Sequence, residues 1–229
     1  PTRKQEAWRL TDLKRLEAVH ALPLIGADSE NDWPQPPQSG LRLLLGADQH
    51  PLEGVELPTG FKALNRDELE ILLGRATDHC DCSEDWPVEL NKSCSRQVLA
   101  LQISGKVPPL ELVIAASGSG MLATRVLLIL EPSAELELLQ VFQAKDGVAH
   151  SHLCEILLGE ESQLQHGLVS MGDGSSSLLT TLAIQQEPRS HYALSSFVQG
   201  SLLARIEPRI VQLRGQAFTS LKGLAVAAD

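Results

Sequence analysis

Two histidines one residue apart, His150 and His152, with Glu155 shortly after, are the residues of this sequence best suited by type to hold a metal ion. On a strand, residues two apart point to the same side, so the two imidazoles aim together. Glu155 lies an odd number of positions from both and points the other way on a regular strand, so only a bulge would return its carboxylate to the pair. A second cluster, His79-Cys80-Asp81-Cys82 with Cys94 farther on, offers soft ligands for zinc or an iron-sulfur cluster. Its Cys-x-Cys spacing is not that of paired Cys-x-x-Cys sites and no second pair follows, so it reads as a thiol pair in a mobile loop. Cys154, inside the apolar run from Leu153 to Leu158, reads as a small packed side chain. Gly118-Ser119-Gly120 and Met171-Gly172-Asp173-Gly174 lack the Lys-Ser/Thr pair and following helix of a phosphate loop, and read as turns. No catalytic, cofactor-binding or metal-binding residue is assigned on these grounds, and whether His79, Cys80, Cys82 or Cys94 ligates a metal stays open.

The elements that carry these residues follow a repeat. LEPSAELELLQVF from Leu130, LGEESQLQHGLVS from Leu158 and QEPRSHYALSSFV from Gln186 align at an offset of 28 residues. In each, a small residue (Ala134, Ser162, Ser190) precedes a large one (Leu136, Leu164, Tyr192) by two positions. A fourth copy from Leu213 places Ala217 and Thr219 at an offset of 27. Within copies apolar residues alternate, the period of a strand with one buried face. A period too short for two strands plus a three-turn helix predicts one rung of a right-handed parallel β-helix, a solenoid whose core forms only between neighbouring rungs. The competing architecture, a β-sandwich or jelly roll, has short strands at closer spacing without this long register. The last rung ends in strand-like sequence, and the β-helix is expected to continue in the full-length protein.

Ahead of the repeats, residues 1–96 read as an N-terminal arm and small α/β cap, with the β-helix over 97–229. Pro1 and Thr2 suit a helix start, and Trp8, Leu13 and Leu16 are placed for burial. The proline-bearing stretch 28–40 reads as an extended linker, Leu41 to Leu45 as a strand, and Asn65 with Glu68 as a capping box opening a helix to Leu73. Residues 78–95 read as a loop or short helix, and strands begin at Val98.

Composition narrows the functional classes. The formal net charge is -10 and no Lys/Arg run exceeds two residues, which argues against nucleic acid or an anionic membrane as partner. Aromatics make up only 3%, so the interior must be aliphatic and stacking platforms for bases or sugars are not expected. Four cysteines and no leader-like or 18-residue apolar run predict a cytoplasmic protein with reduced thiols.

The opening PTRKQEAWRLTDL is similar to the Pro-Thr-Arg-x-x-Glu-x-Trp-x-x-Thr-x-Leu segment of the SufB and SufD proteins, and the leucine-rich rungs with Gly-Glu or Glu-Pro turns resemble the β-helix of that family. The arm and the α/β region look closer to SufD. The resemblance implies a non-catalytic scaffold of a SUF-type iron-sulfur cluster assembly complex, pairing with SufB-like and SufC-like subunits, with a homodimer open to the isolated chain. The family's C-terminal signature, an acidic run followed by Cys and His-Gly-Ala-Thr, has no counterpart here. The resemblance therefore implies no cofactor bound by this stretch itself and places any iron-sulfur cluster at the interface of the full complex. The alternative from another class is a cupin-like metal-dependent enzyme using His150 and His152.

Overall fold

The computed structural model describes residues 8, 11–28, 40–46 and 48–226. The family-like segment 1–13 therefore lies mostly outside the described residues, as do the helix start at Pro1 and Thr2 and most of the linker at 28–40. The helices are α1 (Leu13–His20), α2 (Arg66–Leu72), α3 (Arg75–His79) and α4 (Trp86–Cys94). The strands are β1 (Leu41–Leu44), β2 (Phe61–Ala63), β3 (Val98–Ile103), β4 (Leu110–Ala116), β5 (Met121–Leu130), β6 (Glu135–Ala144), β7 (Ala149–Leu158), β8 (Gln163–Gln186), β9 (His191–Gln212) and β10 (Phe218–Val226).

From Val98 the chain winds as five coils, each contributing one strand to each of two parallel sheets. The first sheet stacks β3, β5, β7, the second half of β8 and the second half of β9. The second stacks β4, β6, the first half of β8, the first half of β9 and β10, with β1 added beside β4. This is the expected parallel β-helix, and the register matches the repeat. Leu136, Leu164, Tyr192 and Thr219 are consecutive partners in one ladder, the shorter last offset included. β2 pairs antiparallel to β3 at the head of the first sheet.

The corners explain why the repeat has its small residues and turn residues where it does. Gly105, Ser133, Glu161, Arg189 and Gln216 recur at one corner with positive φ, and Gly118, Asp146 and Gly174 recur at the other. A left-handed residue at each corner lets the chain reverse direction between sheets. Successive corners are bonded: Ser133 N donates to Glu160 O, Glu161 N to Pro188 O and Arg189 N to Gln216 O. Ala134, Ser162 and Ser190, next to these residues, are wholly buried. Met171 to Gly174, expected as a turn, is the corner within β8, where the register shifts between Met171 and Ser176. Gly172 meets Gly200 of the next coil there; a Cβ on Gly172 would lie 2.4 Å from Gly200 O.

The two sheets differ in what covers them. Inside the coil their facing side chains form one aliphatic core, from Leu101 and Leu112 through Leu128, Phe142, Ile156 and Leu168 to Leu182. The first sheet is also covered outside. Trp8, Leu16, Val19 and Leu90 pack on Met121, Ala149 and Leu179, while Ala76 and Cys82 pack on Leu127, Leu157 and Ala183. Every residue of β7 is buried as a result, as expected for a parallel sheet covered on both faces. The second sheet keeps its outer face open: β6 alternates buried and exposed residues, and Leu139 is 38% exposed.

The remaining expectations for the N-terminal region resolve simply. α2 carries the predicted capping box, with Glu68 N donating to Asn65 Oδ1 and Asn65 N to Glu68 Oε2. α1 starts instead at Asp12, whose carboxylate accepts from Lys14 N. The stretch 78–95, read as a loop or short helix, holds the end of α3 and all of α4. No helix among the described residues is long and apolar enough to cross a membrane.

Candidate functional site

At one level of the coils, polar inward side chains from both sheets meet in a continuous chain of hydrogen bonds. His150 and His152 on β7 share one side of the strand, as their even spacing predicts; that side is the inward one, and they are 1% and 2% exposed. Across the coil, β6 contributes Gln140, and the next two layers of that sheet contribute His166 on β8 and Tyr192 on β9. Tyr192 Oη lies 3.0 Å from His166 Nδ1, and His166 Nε2 lies 3.1 Å from Gln140 Oε1. Gln140 Nε2 lies 3.0 Å from His152 Nε2, and His152 Nδ1 lies 2.8 Å from Thr124 Oγ1. With the Gln140 amide oxygen placed towards His166 and its nitrogen towards His152, donor and acceptor rules fix the direction of the chain. Tyr192 donates to His166, His166 Nε2-H to the glutamine oxygen, the glutamine amide to His152 Nε2, and His152 Nδ1-H to Thr124. Both imidazoles are then neutral, with every ring nitrogen used.

Burial enforces that neutrality. It holds His152 down to about 3, with the neighbouring His166 and His150 adding to the effect, and it alone holds His166 to about 3. His150 is held to about 4, burial outweighing the hydrogen bond between its Nε2 and Gln143 O. The ring of Phe142 packs edge-on against both His150 and His152.

Glu155 takes the opposite face, as parity requires. It is fully buried under α3, where its Oε1 pairs with Arg125 Nη2 at 2.7 Å and its Oε2 accepts from Gly74 N at 2.9 Å. The cupin-like alternative is therefore corrected. Its carboxylate ligand is on the wrong side of the strand and engaged in an ion pair, and His152 has no lone pair left to give. Among the described residues no three His, Cys, Asp or Glu side chains are grouped to hold a metal ion.

The thiol pair is also not in a mobile loop. Cys80 caps the end of α3 and its thiol donates to Arg209 O at 3.2 Å, while Cys82 is buried against the first sheet. Burial pushes the Cys80 thiol up and the Cys82 thiol to about 12, so neither is a thiolate at neutral pH. His79 Nδ1 is 2.6 Å from Gln185 Oε1. Cys94 packs with a different group of residues, beside Trp8 and Leu90. Cys154 is fully buried in the core, its thiol pushed up to about 12 by that burial, as a packed side chain would be. Gly118 lies at a corner with φ 92°, and Gly120 accepts the Ala149 amide.

Sequence reasoning missed Gln140, His166 and Tyr192 as a connected group. A signal existed in the repeat itself: Gln140 occupies the ladder position of Leu112 and Leu168, and His166 that of Leu138 and Leu194. A polar residue where neighbouring coils carry leucine marks an inward polar position.

Residues 112–229 match the family model for the SufBD core domain of the SUF system of iron-sulfur cluster assembly. The chain is also 24% identical over 255 residues to the iron-sulfur cluster assembly SufBD family protein slr0076 of Synechocystis sp., an alignment that takes in 100% of this chain and 56% of that protein. The chain thus spans a little over half the length of the relative it matches. The matched core begins in β4 and runs through the stacked coils.

Proposed function

The chain belongs to the SufBD family of SUF-system iron-sulfur cluster assembly proteins, and from that premise we propose that it is a non-catalytic, SufD-like scaffold subunit that pairs with a SufB-like subunit and a SufC-like ATPase. The observation that carries this reading is that the matched family core coincides with the stack of coils. A solenoid is stiff along its axis because each coil is bonded to its neighbours, and it offers a long surface to partners. The open outer face of the second sheet supports such a role, since the first sheet is already covered by α1 and α4. The buried histidines and cysteines support it too: they are neutral, hydrogen-bonded or packed, and contribute to the core rather than to a reacting centre. An iron-sulfur cluster, in this reading, is cargo of the assembled complex.

The test is co-expression of the tagged full-length protein with the SufB-like and SufC-like proteins of the same organism, followed by purification under native conditions. A stoichiometric complex containing iron and acid-labile sulfide is the expected result. Recovery of the tagged protein without either subunit would contradict the proposal.

A further inference from the structure

β3 begins at Val98 opposite Arg125, so the first four residues of β5 are paired with β7 on one side but have no β3 residue on the other. Pro23 and Ile25 take the backbone groups of Met121, and beyond them lies a cavity of about 80 Å³. It is lined by Cys94, Arg96, Gln97, Leu122, Arg125 and Asp48. Gly46, also in the wall, approaches so closely that a Cβ would fall 2.5 Å from Leu122 Cδ1.

Two lining groups are buried without a hydrogen-bond partner, Arg125 Nε and Gln97 Oε1. The Arg125 side chain is 10% exposed and its other contact, Glu155, engages Nη2. Gln97 is oriented by its own amide, which donates to Asp48 O at 3.0 Å. Arg96 is exposed and forms no ion pair among the described residues. Buried orphan donors and acceptors mark a site for an absent water or ion. Here the set is specific: a buried arginine donor, a second arginine in the same lining, and one acceptor needing a proton.

We infer that this cavity binds a small oxyanion of the phosphate class that retains a proton, through Arg125, Arg96 and Gln97. Phosphate oxygens accept from the guanidinium groups, a pairing that arginine geometry favours. The P-OH donates to Gln97 Oε1. Asp48, in the same lining, favours the protonated form over a fully ionised anion. The site is independent of the scaffold reading.

The experiment is thermal unfolding of the purified chain titrated with inorganic phosphate, at ionic strength matched with sodium chloride. Sulfate, which carries no proton at neutral pH, and adenosine monophosphate form two further arms. Phosphate is expected to raise the melting temperature saturably and sulfate only weakly. Arg96→Ala, an exposed change that should leave the unliganded melting temperature alone, is expected to weaken phosphate by about tenfold or more. Gln97→Glu should weaken it further. Stabilisation by adenosine monophosphate would identify a phosphomonoester as ligand, and its failure beside a phosphate response the free ion. A phosphate response no greater than that of sulfate, or one unchanged in Arg96→Ala, would mean that only water fills the cavity and would overturn the proposal.

Discussion

Gln140 joins the two sheets at the level of the histidines, since it is bonded to His152 on one side and His166 on the other. Replacing it by leucine, the residue above and below it in the ladder, should suit the packing but strand an imidazole donor and an acceptor in the core. Gln140→Leu is therefore expected to cost about 2–4 kcal/mol in urea unfolding, the range for leaving buried partners unsatisfied. Adding His166→Leu, also the residue of its neighbours, should recover part of that loss through non-additivity. The same histidines set a pH dependence. Their folded values lie below the ordinary 6.5, at about 4 for His150 and about 3 for His152 and His166. The unfolded chain therefore takes up these protons first, so the stability they contribute is whole above pH 6.5 and drains as pH falls towards 4 and below. Urea midpoints at pH 7 and pH 5 should show this decline, and His166→Leu should make it shallower by about one proton. Parity made legible in the sequence that His150 and His152 share one side and Glu155 takes the other, though not which side faces the core. The bonds that engage them were not, because Gln140, with His166 beyond it, and Arg125 and Gly74 lie on other elements.

At the level of elements, the first sheet is held between its core and a layer of short helices. Polar residues add specific bonds to the apolar packing there. Asn91 on α4 donates to Thr124 O at 3.0 Å and Ser151 O at 2.8 Å, and Glu155 joins Arg125 to the start of α3. Glu155→Ala should leave the Arg125 guanidinium without its buried partner and cost about 3–5 kcal/mol, the range for breaking a buried pair. Hydrogen exchange should rise most at Gly74 and along α3, whereas the β6 and β10 amides should change little. This layer was the part of the fold least visible in the sequence. The β7 segment AHSHLCEILL shows no alternation because both its faces are covered, and the polar run from Asp78 to Ser95 hides α4, whose buried residues are only Pro87, Val88, Leu90 and Asn91. The capping box at Asn65 was legible because that signal is local.

Across the whole molecule, one sequence period is one coil. The ladder of Leu136, Leu164, Tyr192 and Thr219 and the positive-φ residues Ser133, Glu161, Arg189 and Gln216 share the same spacing. That regularity was legible because solenoid interactions are between nearest neighbours, which repeat the same inward pattern. The extra strand β1 was read as a strand, but its parallel place beside β4 was not, since nothing local encodes a partner so far along the chain. If the protein works as a stack of equivalent layers and not through one irreplaceable centre, a whole layer should be removable. The most direct measurement is urea unfolding and β-sheet circular dichroism of a chain lacking residues 163–190, one full period, which brings Tyr192 into register with Leu136. The account predicts a less stable but cooperatively folded β-protein, and an unfolded chain when only half a coil is removed. Loss of folding in both deletions, or its retention in both, would contradict it.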